Sequence, residues 1–129
     1  ETEKLCPQGW HVPSDEEWEQ LAKYINEQKG SFEKSGDDWE EMGKLLKATS
    51  GWSNNGNGTD AFGFTALPGG YRNAFNGSFN YAGKDGYWWS ATAEGTKNAW
   101  NRGLWYTTAN FDRYWGDRRH GFSVRCLQD

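Results

Sequence analysis

The sequence predicts an α+β fold with two helices, long loops and a small twisted antiparallel sheet that joins the two ends of the chain. Three observations carry that prediction. A helix-start signal stands at Ser14, a second amphipathic stretch follows Asp37, and after Trp52 charged helix formers give way to short aromatic runs broken by Gly and Asn. At 129 residues the chain has the length of one ordinary domain, so one unit over 1–129 around one core is expected.

In Pro13-Ser14-Asp15-Glu16-Glu17, Ser14 can cap the Glu17 N–H while the Glu17 side chain reaches back, and acidic charge fills the first turn. Trp18, Leu21 and Ile25 then recur at helical spacing until Gly30 stops the helix. The second helix is expected to be capped by Asp37 or Asp38, with Glu40 and Glu41 in its first turn. Its apolar stripe is Trp39, Met42, Leu45 and Leu46, ending near Ser50-Gly51. Ser53 to Asp60 is turn chemistry. Over residues 120–127, Phe122, Val124 and Cys126 alternate with Ser123 and Arg125 as a half-buried strand requires. Cys6 is expected on a strand beside it.

Composition excludes several classes. Only 35% of the residues are hydrophobic, yet there are nine Trp, six Tyr and seven Phe, so rings must supply much of the core and a disordered chain is excluded. Uncharged runs such as Ala48 to Thr59 and Ala61 to Tyr71 are far below the roughly 20 apolar residues of a membrane helix, so no membrane insertion is expected. A net charge of −4 lacks the basic footprint that nucleic acid requires. Charge is uneven: residues 1–50 carry 12 acidic and 6 basic side chains, and all six Arg lie after residue 50.

Cys6 and Cys126 bracket the chain and suggest a disulfide between the terminal segments; two buried free thiols inside a cell are the alternative. Neither has a CxxC or local His partner that would make it catalytic. The opening on Glu1, with no charged-then-apolar leader, is expected of a processed protein or an excised domain.

Four ordered blocks carry a wider pattern: Cys6-Pro7-Gln8-Gly9-Trp10-His11-Val12-Pro13-Ser14-Asp15-Glu16-Glu17-Trp18, Asp60 to Arg72, Gly86-Tyr87-Trp88-Trp89-Ser90-Ala91-Thr92, and Gly121-Phe122-Ser123-Val124-Arg125-Cys126. Together they resemble the Fibrobacter succinogenes major paralogous domain, a family of exported proteins of Fibrobacter and Bacteroides relatives. The first block is also similar to formylglycine-generating and sulfatase-modifying proteins. That likeness implies the C-type lectin fold. The formylglycine-generating relatives are copper oxidases that use a pair of nearby cysteines. Cys6 and Cys126 are 120 positions apart, so those catalytic positions have no counterparts, and neither enzyme activity nor a cofactor is expected.

A calcium reading would rest on Asn54, Asn55, Asn57 and Asp60, but one charge among four ligands gives low affinity, and a solvated turn is favoured. The calcium-lectin triplets Glu-Pro-Asn and Gln-Pro-Asp are missing, so no metal is expected to bridge a ligand.

Asn98 to His120 is the most informative stretch. Alternation places Arg102, Leu104 and Tyr106 on one face and Asn101, Gly103, Trp105 and Thr107 on the other. Leu104 marks the first face as buried, which leaves Trp105 exposed; Trp100 sits at the strand's start with its side open. Rings and fork-shaped Arg donors on loops are the composition of a recognition surface. The candidate ligand-binding residues are Trp100, Asn101, Trp105, Asp112, Tyr114, Trp115, Asp117, Arg119 and His120. Trp88 and Trp89 are assigned to the core. In relatives this segment is where members look least alike, and some C-type-lectin-fold proteins of this sort are varied there by diversity-generating retroelements. That resemblance implies variation at the same nine positions and Gly103, between scaffold residues Arg102, Leu104, Tyr106, Phe111 and Arg113.

The expected function is therefore a non-catalytic binding or adhesin domain, secreted or at the cell surface, within a larger exported protein or a pilus or phage tip. Its partner would be a cell-surface protein or a glycan. The alternative is a structural spacer domain whose Trp residues are mostly core.

Overall fold

The computed structural model describes residues 5–129; Glu1 and the three residues after it lie outside the described residues. The element order is β1 (Trp10–His11), α1 (Asp15–Lys29), β2 (Lys34–Ser35), β3 (Asp38–Trp39), α2 (Gly43–Leu46), β4 (Tyr71–Arg72), β5 (Phe79–Asn80), β6 (Asp85–Glu94), β7 (Asn98–Trp105), β8 (Asp112–Asp117) and β9 (Leu127–Gln128). It is an α+β arrangement with two helices and small antiparallel sheets. The largest sheet has the order β6-β7-β8, and the others are the pairs β1-β9, β2-β3 and β4-β5.

The capping box at α1 forms as the sequence dictates: the Glu17 N–H donates to Ser14 Oγ and the Ser14 N–H donates to Glu17 Oε1, each at 3.0 Å. Gly30 ends the helix at φ 116°. Trp18, Ala22 and Ile25 are buried against the large sheet, where the Trp18 indole N–H donates to the Trp89 carbonyl. Met42, Leu46, Trp52, Trp88, Leu104 and Phe111 complete the core.

The second helix is a single turn, much shorter than the amphipathic stripe predicts. Trp39 belongs to β3, and its backbone N–H and C=O pair with Phe111 at 3.0 and 2.8 Å. Glu41 then turns the chain with a left-handed φ of 63°, its N–H held by Asn110 Oδ1. Contacts from residues 110 and 111, distant in sequence, override local helical periodicity. Trp39, Met42 and Leu46 are nevertheless buried.

The termini pair, but not through the segments expected. β1 lies antiparallel to β9, with Trp10 opposite Gln128 and His11 opposite Leu127. Cys6 sits in a turn before β1, not on a strand, and of the strand expected over 120–127 Leu127 alone is in one, β9, while residues 120–126 make isolated bridges, Gly121 to Arg72 and Ser123 to Trp88. The Cys6–Cys126 disulfide ties this junction, closing a loop of 120 positions. In the chain-entropy model such a loop stabilises by up to about 5 kcal/mol. His11 adds a polar clamp: Nδ1 meets Asp129 at 2.6 Å and Nε2 meets Glu17 at 2.9 Å.

The sheet is fastened to α1 by charge. Arg102, 1% exposed at the middle of β7, reaches Asp15 at 3.0 Å and Glu19 at 3.2 Å. Arg113 on β8 shares Asp15 at 2.8 Å and adds Asp37 at 2.9 Å. Burial opposes ionisation of Asp15, yet the hydrogen bond from Arg113 and the charge of Arg102 outweigh it and hold its carboxyl below the ordinary range.

Two outcomes follow from this packing. Arg102→Ala takes one of two cationic partners from each of Asp15 and Glu19 and empties the buried space between helix and sheet, and should cost about 2–4 kcal/mol, read by urea denaturation; a loss under about 1 kcal/mol would contradict the fastening. The hydrogen bonds with Asp129 and then Glu17 raise the His11 pKa above 6.5. The clamp is therefore complete below the unfolded value and lost as pH climbs through the folded one. An NMR titration of the His11 ring should show a midpoint above 6.5. Protection of the Asp129 amide should fall over the same range in the wild type and not in His11→Ala.

Candidate ligand-binding site

The register divides β7 between two environments. Arg102 lies opposite Trp88 and Arg113 on the helix side, whereas Asn101 lies opposite Trp89 and Tyr114, and Gly103 opposite Tyr87 and Asp112, on the other. On that second side a cavity of about 410 Å³ opens over β7. Asn101, Trp105, Tyr114, Trp115 and His120 line it, and these are five of the nine residues singled out from the sequence. The other walls come from Tyr71, Tyr81, Tyr87, Gly116 and Phe122.

Trp105 is half-buried instead of exposed. Its ring lies back across Gly103, where a Cβ would collide with it, so only glycine admits this conformation. Its indole N–H donates to Asp112 Oδ2, and its face tilts against Tyr87 with centroids 5.0 Å apart. Below it Lys47, 2% exposed, donates to the carbonyls of Trp105 and Thr108 and stands 4.8 Å from the Trp52 ring centroid. Burial lowers the Lys47 pKa.

The remaining candidates lie round this centre. Asp112 is 9% exposed, with one oxygen on Trp105 and the other without a partner among the described residues. Burial, with the nearby charge of Asp38, pushes its carboxyl up to about 6. Trp100 lies on the helix side under the Arg113 guanidinium, 3.5 Å from its ring centroid, away from the cavity. Asp117 and Arg119 pair with each other at 2.8 Å, and the Arg119 side chain lies over Phe75. The hydrogen bonds from Arg119 hold the Asp117 carboxyl well below the carboxylate range. Tyr114 and Trp115 stand 61% and 50% exposed at the rim.

Tyr71, Tyr81, Tyr87 and Phe122 are the walls that sequence reasoning missed, since all but Tyr81 fall in blocks read as scaffold. Tyr71 stacks on Tyr81 and meets Tyr87, His120 and Phe122 edge-on. Phe122 is stacked between Trp89 and Tyr87, with centroids at 4.2 and 5.1 Å. The available signal was the density of rings between Tyr71 and Tyr81, a segment with no Leu, Ile or Val to bury them against.

In the Asn54–Asp60 turn, the side-chain oxygens of Asn57 and Asp60 are taken up by neighbouring residues. Asn57 Oδ1 accepts the Trp52 N–H, and both Asp60 oxygens accept from Thr65. Among the described residues no three His, Cys, Asp or Glu side chains are grouped to hold a metal ion, and no helix is long and apolar enough to cross a membrane.

The blocks that place Cys6, the Ser14 cap, Tyr71, Tyr87 and Phe122 at these positions are those of one family. The family model of the Fibrobacter succinogenes major domain matches residues 1–128, and the chain belongs to that family. No curated protein and no solved structure matches it.

The buried Asp112 carboxyl makes a testable difference. A folded-state pKa of about 6 against the ordinary carboxylate value of 3.8 means the folded protein holds this proton more tightly. Its contribution to stability is greatest below the unfolded value and is lost as pH rises through about 6. Asp112→Asn, which keeps an oxygen for Trp105, should gain stability relative to wild type between pH 4 and 7 in parallel thermal melts. Equal slopes would contradict this reading.

Proposed function

We propose that this chain is a non-catalytic extracellular binding module of C-type lectin topology, and that the aromatic cavity over β7 is its ligand site. The carrying observation is the cavity itself: seven Tyr, Trp and Phe side chains converge on one concave surface. Rings give large contact area at low entropic cost, which is why they dominate recognition surfaces. The rim extends the same chemistry outward through Phe75, which is 70% exposed and meets His120 edge-on.

Several features support the rest of the reading. The α+β order and the paired, disulfide-tied termini fit the C-type lectin topology that the family resemblance implies. The disulfide is compatible with an exported protein and takes up both thiols that copper-oxidase chemistry would require. Five of the ten positions at which retroelement variation is expected line the cavity, between scaffold residues Arg102, Leu104 and Phe111, which are buried. That interleaving suits a fixed scaffold with a variable site, as in an adhesin tip.

The purified domain, with and without EDTA, should bind selectively on a glycan array or a panel of cell-surface proteins. Tyr114→Ala and Trp115→Ala should abolish that binding while costing less than about 1 kcal/mol of stability. A spacer domain predicts the reverse: no selective binding, and a loss of about 3 kcal/mol or more for Trp115→Ala.

A further inference from the structure

The cavity contains a polar group with nothing to bind. Asn101 is 2% exposed and lines the cavity from β7, and its Oδ1, itself closed off from solvent, has no hydrogen-bond partner among the described residues. An unpaired buried amide oxygen costs on the order of 1–3 kcal/mol, a cost that a ligand donor removes once the Asn101 amide turns toward it. His120 supplies the complement. Its Nδ1 accepts the Ala74 N–H at 3.0 Å, so the neutral ring carries its proton on Nε2 and offers a donor.

Around these two groups the walls are ring faces and edges, and among the described residues no Asp, Glu, Lys or Arg side chain lines the cavity. A charged ligand would lose its hydration without a counter-charge, and a wholly apolar one would leave Asn101 unpaired. The ligand that fits is neutral, with flat C–H faces and an edge that both donates and accepts. The volume, about 410 Å³, is within the roughly 300–1,000 Å³ of small-molecule sites.

We propose that the cavity binds a neutral pyranose ring without a metal ion, its C–H face on the aromatic walls and neighbouring hydroxyls bridging Asn101 and His120. This rests on the reading of the domain as a binding module and names its ligand class. A hydroxyl serves either orientation of the Asn101 amide, because it donates to Oδ1 and accepts from Nδ2. Gly116 supplies room for the ring: a Cβ there would meet Phe122 at 3.5 Å and Asn101 Nδ2 at 3.7 Å, ordinary contact distances. A methyl at this position therefore occupies ligand space with no clash.

The test titrates the domain with the methyl glycosides of glucose, galactose, mannose, fucose and N-acetylglucosamine, following the Trp105 indole N–H by NMR. At least one should saturate in the millimolar range, shift the Trp105 signal and be indifferent to EDTA. Asn101→Ala should weaken it about tenfold or more. Gly116→Ala, which keeps every native contact, should weaken it several-fold with the circular dichroism unchanged. Saturation by none of the five overturns the proposal, as does binding that EDTA abolishes or that leaves Trp105 and Gly116→Ala unaffected. If no glycoside binds while a cell-surface protein is held through Tyr114 and Trp115, the pyranose assignment falls and the binding module stands. If neither class binds, both fall.

Discussion

The buried guanidinium of Arg102 is the constraint on which the rest of the structure depends. A charge 1% exposed inside a protein is tolerable only with partners, and the partners here, Asp15 and Glu19, stand one turn apart on α1. The start of the helix must therefore lie over the middle of β7, and the capping box at Ser14 determines where that start falls. Such a pair contributes little net stability over an apolar substitute, but it is costly to misplace. It thereby acts on register. A one-residue slip of β7 would turn Arg102 into the cavity and Asn101 under the helix, exchanging every side chain between the two faces.

From that register follows the division of labour along β7. On the helix side Arg102 and Leu104 join the core; on the other Asn101 and Trp105 line the cavity, and Gly103 lies beneath the Trp105 ring. Trp105 is held in place from three directions. Gly103 leaves space for its ring, Asp112 accepts its indole N–H, and Lys47 accepts its share of burial to bind its carbonyl. Each costs something locally: a glycine in a strand, a carboxyl whose ionisation is suppressed, an ammonium held by backbone carbonyls in a buried place. Departures from simple packing that converge on one side chain mark a site whose geometry is held rigid, as ligand recognition requires.

Legibility in the sequence followed the range of the interactions. The first helix was readable from end to end, since its cap, its acidic turn and its Gly30 stop are all local. The second was not, because the pairing of Trp39 with Phe111 joins residues 72 positions apart and no window of the sequence contains both. Alternation assigned Trp105 to the correct face of β7, but its exposure depended on Tyr87 and Asp112 from neighbouring strands. The disulfide could be read from the placement of two cysteines; the strands beside it could not, because the β1 and β9 pairing lies outside the alternating run. The cavity walls Tyr71 and Tyr87 escaped for a different reason. They belong to blocks shared with the family, and a shared aromatic residue is read as scaffold even where it faces open space.

In a chain so poor in Leu, Ile and Val, ring faces do two kinds of work, and their partners separate them. Trp89, Phe122 and Tyr87 stack on one another, so those faces are consumed in building a wall. Trp18 and Phe64 meet edge to face with each other and with Phe111 and Trp88, which fills the core. Tyr114 and Trp115 form no ring pair among the described residues, although each stands half or more exposed beside that wall. An exposed ring in this position gains its full burial only when a ligand arrives, and with two side-chain torsions to fix it loses little entropy in doing so. The wall behind it is already packed and pays nothing further on binding. A rigid aromatic floor with unpaired rings at its rim is the preorganisation that the proposed binding role calls for, and a core of the same composition would not supply it.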